Sequence, residues 1–284
     1  MERTNKIFVV GTLLQVRDVR RGEKDGVKWI GGTAVVKSGD SEIEFKYFSS
    51  EKTKAGKDNS RYPNYDGLED RVGERVRVNG EISGRLWYND SQNQVINFNE
   101  ATAGFFNSAK PSDQDTATFE FGGFVVKPLH ERLNKDEELI AYEMEIGQAN
   151  YNGDNMHIVR FTVDKDSKNI INAVETAYTK GTTVYINGSI VYEVVVEEKT
   201  EDVAFGDPIT KKFQSTRKSF LITGGKQPII EDGIAYSAED IAKLESAYKL
   251  YIADLEKKAK ERNASSGGTG SNGPAVSDNT DRLL

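Results

Sequence analysis

The sequence has no cysteine and only two histidines, His130 and His157, among its 284 residues. Without thiols there is no disulfide, no thiolate nucleophile and no cysteine-ligated metal. Two histidines so far apart also exclude a histidine-rich metal site or a compact HExxH helix. Long apolar runs are missing as well: none approaches the ~20 residues of a membrane span. The opening Met1-Glu-Arg-Thr-Asn-Lys leads into a strand pattern and not into a secretory signal. A soluble, cytoplasmic chain is expected. No GxxxxGK[ST] occurs, and the GxGxxG match at Gly268-Thr-Gly-Ser-Asn-Gly lies in a Ser/Gly tract before Pro274, not between a strand and a helix. Carboxylate pairs such as Asp164/Asp166 sit among Lys165 and Lys168, as in a solvated turn. No enzyme chemistry, cofactor or metal is expected.

What is present is enough for an ordinary core, with 37% hydrophobic and 29% charged residues, and the length allows about two domains. The net charge of −7 is unevenly spread: +2 over residues 1–110, −6 over 111–230 and −3 over 231–284. A polyanion follows local potential, so it should prefer the first segment.

Short β-type segments fill the first segment: Ile7-Phe-Val-Val, Thr33-Ala-Val-Val, Ile43-Glu-Phe-Lys-Tyr, Val76-Arg-Val and Val95-Ile-Asn-Phe. Apolar and polar residues alternate in the third and fourth, the period of half-buried strands. Ser108-Ala-Lys-Pro-Ser-Asp-Gln-Asp reads as a linker, and a second β-rich stretch runs from Thr118 to about Thr223. The period then changes. Ser237 caps a helix with an acidic first turn, and Ile241, Leu244, Tyr248, Tyr251 and Leu255 form one apolar stripe. The Gly/Ser-rich residues 263–284 cannot bury a core and should be disordered.

The two β-rich halves resemble each other. Gly73-Glu-Arg-Val-Arg-Val-Asn-Gly-Glu-Ile aligns without gaps on Gly181-Thr-Thr-Val-Tyr-Ile-Asn-Gly-Ser-Ile, and Ile43, Phe45 and Tyr47 correspond to Val159, Phe161 and Val163. Gly11 and Gly122 both lie just inside the first strand of their halves. Each half reads as three strands, a connector with a short helix, and two more strands, the order of an OB-fold barrel. Apolar alternation continues through each Asn-Gly pair, which favours a kinked strand there over a tight turn. The expected fold is mostly β: an OB-fold domain over 1–110, basic and aromatic, and a second, acidic one over 111–230. A C-terminal helix over 231–262 and a flexible tail over 263–284 complete it.

The runs Val72-Gly-Glu-Arg-Val-Arg-Val-Asn-Gly-Glu-Ile-Ser-Gly-Arg-Leu-Trp-Tyr and Lys180-Gly-Thr-Thr-Val-Tyr-Ile-Asn-Gly-Ser-Ile resemble the fourth strand of bacterial and phage single-stranded DNA-binding proteins. The layout of barrel, Gly-rich linker and short acidic tip is similar too, although that family usually has one barrel per chain. The resemblance implies a protein that coats single-stranded DNA in replication or recombination, without sequence choice, in the host cytoplasm if a phage encodes it; a homo-oligomer is a further expectation. By the same resemblance the tip (Asp278, Asp281, Leu283, Leu284) would recruit replication or recombination proteins, although it also carries Arg282 and few acids.

Such binding needs cations for the backbone and aromatic faces for bases. Arg17, Arg20, Arg21, Lys24 and Lys28 crowd the loop between strands one and two beside Trp29, which reads equally as stacking platform or core. Lys54 and Tyr62 lie in the connector, Arg85, Trp87 and Tyr88 in the hairpin after strand four, and Lys46 on a strand whose Phe45 and Tyr47 point to the core. In the second half Arg160, Tyr185, Tyr192 and Lys212 are candidates, opposed by the acids Glu193, Glu197, Glu198, Glu201, Asp202 and Asp207. That half is a weaker site or a platform for association. Two alternatives stay open: RNA in place of DNA, and an OB-fold interaction scaffold without nucleic acid, in which the helix over 237–262 docks a partner or another copy.

Overall fold

Side-chain alternation shapes the strands. In β3 (Ser41–Ser50), Ile43, Phe45, Tyr47 and Ser49 are buried while Glu42 and Lys46 are exposed, the period of a pleat with one face on a core. The computed structural model describes residues 1–134, 136–201 and 209–265, with side chains described outside 193–217 and 264–265.

The first barrel contains β1 (Asn5–Lys24), β2 (Val27–Ser38), β3, helix α1 (Arg61–Tyr65), β4 (Arg75–Asn89) and β5 (Gln94–Ser108). β1 pairs with β2, β2 with β3, β3 in parallel with β5, β5 with β4, and β4 with β1, which closes the cylinder. The second has β6 (Thr116–Leu133), β7 (Leu139–Ala149), β8 (Met156–Val163), α2 (Lys168–Ala177), β9 (Thr183–Glu201) and β10 (Ile209–Gly225). Its pairings repeat the same circuit, including the parallel contact of β8 with β10. Both are five-stranded OB-fold barrels.

The Asn-Gly pairs are bends inside continuous strands, as expected. A Cβ at Gly80 would stand 2.2 Å from the Thr102 carbonyl oxygen, and one at Gly188 would stand 1.9 Å from that of Leu221. Only glycine lets β4 and β9 press so closely on β5 and β10 where each barrel curls shut. The glycines of β1 and β6 act alike, but the match is Gly11 with Gly123, one position beyond Gly122: Gly11 pairs with Val76 and Gly123 with Val184.

Asn5–Val10 of β1 also pairs antiparallel with Thr116–Phe121 of β6, so one sheet runs through both barrels. Each β4–β5-type hairpin then reaches across to the other barrel. Asn97 Nδ2 donates to the Ile158 carbonyl at 2.8 Å, and the Arg160 amide donates to Asn99 Oδ1 at 3.0 Å. In the opposite direction the Tyr192 amide donates to Ser41 Oγ at 3.2 Å, and Lys218 pairs with Glu44. One apolar cluster spans both barrels, with Phe45 and Phe106 from one and Phe119, Phe161 and Phe220 from the other.

Helix α3 (Ala238–Ser265) starts as the sequence indicates: Ser237 Oγ accepts from the Asp240 amide at 3.1 Å and donates to its carboxylate at 2.7 Å. Its stripe is not a free docking face. Leu244 is 1% exposed, and with Ile241 and Tyr248 it packs against Phe124, Met156, Ile158 and Tyr236 of its own chain. The helix end reaches the tip of the β4–β5 hairpin, where Asn263 Nδ2 donates to Asp90 at 2.8 Å. No described helix is long and apolar enough to cross a membrane.

Candidate nucleic-acid interface

Register decides which side chains meet. Arg20, Gly31 and Phe48 stand opposite one another across β1, β2 and β3; so do Gly22, Trp29 and Ser50, and Arg17, Thr33 and Lys46. Directly opposed residues share a face, so Arg17, Arg20, Trp29, Lys46 and Phe48 lie together on the outer side of the first barrel. Lys46 Nζ donates to Thr33 Oγ1 at 2.6 Å on that side. The Trp29 and Phe48 rings are 5.9 Å apart and tilted by 30°. A Cβ on Gly22 would come within 2.5 Å of the indole, so only glycine lets the ring pack this closely on β1. Trp29 is half-buried on the barrel's outer side, not a core residue. The strand 2–3 face is where OB-folds take nucleic acids.

Glu44 belongs to the same outer row of β3. Partial burial pushes its carboxyl up, but Lys218 and Arg17 outweigh this and hold it below the usual carboxylate range.

A second aromatic face lies on the β4–β5 hairpin, where Arg85 stands opposite Phe98 and Trp87 opposite Ile96. Trp87 is 42% and Phe98 41% exposed. Arg85 reaches Glu100 at 3.1 Å. Tyr88 does not join them. It alternates to the other side, is 7% exposed and bonds Asn93, so its expected stacking role falls.

Other expected residues also separate. Arg21 lies opposite buried Ile30, on the reverse side from Trp29, and clasps Glu69 with two bonds of 3.0 and 2.8 Å. Lys28 points away from Trp29 for the same alternation, opposite Glu23. Lys24 and Lys54 are exposed, at the end of β1 and in the connector before α1. Tyr62 is half-buried and packs against the core. Arg160 is held by Glu143 at 3.7 Å and Glu145 at 3.5 Å. Tyr185 is half-buried under the Lys226 ammonium, 4.4 Å from its ring centroid, on β9 opposite Gly122 of β6. Tyr192 is 2% exposed and cannot stack. The Lys212 side chain and the tip residues Asp278, Asp281, Leu283 and Leu284 lie outside the described residues.

Phe48 and Phe98 escaped sequence reasoning. For Phe48 the available signal was an aromatic at a polar place in an alternating strand, after Glu44 and Lys46 in β3; Phe98, flanked by Asn97 and Asn99 in β5, reads as an ordinary apolar position.

The two barrels differ at matched positions. Val36 faces Ile43 as Ile146 faces Val159. Counting from these pairs, Trp29 corresponds to Leu139, Thr33 to Glu143, Lys46 to Thr162 and Phe48 to Asp164. The second barrel thus has neither ring at these places, has acids where Thr33 and Phe48 stand, and has Arg160 where Glu44 stands.

A model of the family described as YorF matches residues 3–258. No curated protein matches the chain. Among solved structures, the wild-type single-stranded DNA binding protein from Thermus aquaticus superposes with a TM-score of 0.50 at 11% identity, over 83% of this chain and 98% of that one. A deletion and substitution variant of the same protein gives a TM-score of 0.49 at 11% identity, over 84% and 100%. At this identity the likeness is one of fold.

Proposed function

The chain belongs to the YorF family, and for this member we propose that it binds and coats single-stranded DNA, without sequence choice, on the outer face of the first barrel. Bases stack on Trp29 and Phe48, and on Trp87 and Phe98 farther along; Arg17, Arg20, Lys46 and Arg85 meet the backbone phosphates. Every base has a π-face, so such platforms tolerate any sequence. A half-buried aromatic pair beside cations, absent at the matched places of an otherwise equivalent barrel, carries this reading. On the matched face of the second barrel Glu143 and Glu145 engage Arg160, and the Ile158 and Arg160 backbone holds the first barrel's hairpin. The structural likeness to the Thermus aquaticus protein supports the fold on which this rests.

Both tryptophans of the chain lie in the proposed site, so their fluorescence tests it. Titration with oligo-dT should quench the emission, an equal-length duplex should not, and added salt should reverse the effect. No response to oligo-dT, with no gel shift, would overturn the proposal.

A further inference from the structure

Glu44 stands in the middle of the cations assigned to phosphate. Its Oε1 is taken by the Arg17 guanidinium of the same barrel and its Oε2 by the Lys218 ammonium of the other. Lys46 is on the same outer row of β3, and its charge also acts on the carboxylate. Arg17, Glu44 and Lys218 are all partly open to solvent, with side-chain exposures of 43%, 31% and 40%. A carboxylate with each oxygen on a different cation offers the same single charge and the same pair of acceptors as a phosphodiester.

We propose that Glu44 is a built-in stand-in for backbone phosphate: beside Lys46, it occupies Arg17 and Lys218 in the free protein and competes with the incoming strand for them. The acid keeps three cations from repelling one another when no strand is bound, and it lowers affinity in exchange. Arg17 and Lys218 come from different barrels, so a phosphate that replaces Glu44 touches both halves of the molecule at one point. This inference rests on the proposed strand-binding face, but concerns phosphate alone and not the bases.

Glu44→Gln keeps the shape and removes the charge. It should bind oligo-dT about tenfold more tightly at low salt, and the fall of log affinity with log salt should steepen by about 0.7, the increment for one further single-strand phosphate contact. Binding of inorganic polyphosphate, which has no bases, should rise in parallel. Lys218→Gln cuts the same inter-barrel tie but leaves the acid, and should weaken binding to both probes. Two results overturn the inference: Glu44→Gln no tighter than wild type on either probe, or Lys218→Gln tightening as Glu44→Gln does, which would trace the effect to a loosened hairpin. Wild type failing to bind oligo-dT while Glu44→Gln gains polyphosphate would refute the DNA reading and leave the phosphate stand-in intact. Melting curves of both variants accompany the titrations, and a Glu44→Gln protein that melts early and binds neither probe would make Glu44 a structural tie, against the inference.

Discussion

Phe48→Ala isolates the base-stacking platform and leaves both tryptophan reporters in place. Phe48 stands opposite Arg20 and Gly31 and supports Trp29 at 5.9 Å between ring centres. Loss of one base–aromatic stack removes ~1–3 kcal/mol of binding, which corresponds to roughly 5- to 150-fold in affinity. The Trp29 indole packs against Gly22. Without Phe48 it keeps that support but loses an aromatic contact worth ~0.5–1.5 kcal/mol, so the larger half of the range is expected. The stability loss should be small, because Phe48 is only partly buried; a fall of a few degrees in Tm is expected, at ~2–4 °C per kcal/mol for a chain of this size. The assay is an oligo-dT titration by tryptophan emission and by filter binding, beside Asp164→Ala, the matched change in the second barrel. Asp164→Ala should leave affinity nearly unchanged. Wild-type affinity in a folded Phe48→Ala protein would refute the platform, and equal losses in the two variants would refute the asymmetry between barrels.

His157 should make the protein acid-labile. Its ring is buried near Phe121, its Nε2 has no partner among the described residues, and burial pushes its pKa from 6.5 down to about 4, against a hydrogen bond with the Ile82 backbone. The unfolded chain binds this proton first, so stability contributed by the neutral ring is complete above about 6.5 and drains away as pH falls toward about 4, on the order of 3 kcal/mol in all. The drop in Tm across this window should shrink by several degrees in His157→Gln; an unchanged pH profile would exclude the ring as its source. Leu244→Asp should destabilise the fold by more than the ~2–5 kcal/mol of a Leu→Ala cavity, because it places a carboxylate against Phe124 and Tyr236. A normal melt with an altered mass in light scattering would instead show that the α3 stripe serves association.

Local regularities were legible in the residues themselves. The alternation of β3, the cap and stripe of α3, and the shared Asn-Gly bends of β4 and β9 each depend on neighbours a few positions away. The order of strands around each connector followed from the same short-range marks, because a bend that only glycine permits and a helix between the third and fourth strands leave few ways to close a small barrel. The choice of kinked strand over hairpin turn at Asn79-Gly80 was correct for this reason: apolar alternation does not continue through a turn.

Which cations remain available to a strand was not legible. Arg21 looked equivalent to Arg20, yet one position of alternation sends it to Glu69, 48 residues away. Arg160 is claimed by Glu143 and Glu145 across a strand pair, and Glu44 meets a lysine 174 residues distant. Trp29 and Phe48 become a pair only through the register of β2 on β3, and the burial of Tyr88 and Tyr192 belongs to the packed hairpins and not to the local pattern. Composition and period determined the barrels, their number and the closing helix, since these follow from propensity and burial along the chain. The binding face was decided by tertiary structure alone, because strand register and long-range charge pairing set which polar and aromatic groups keep an open side.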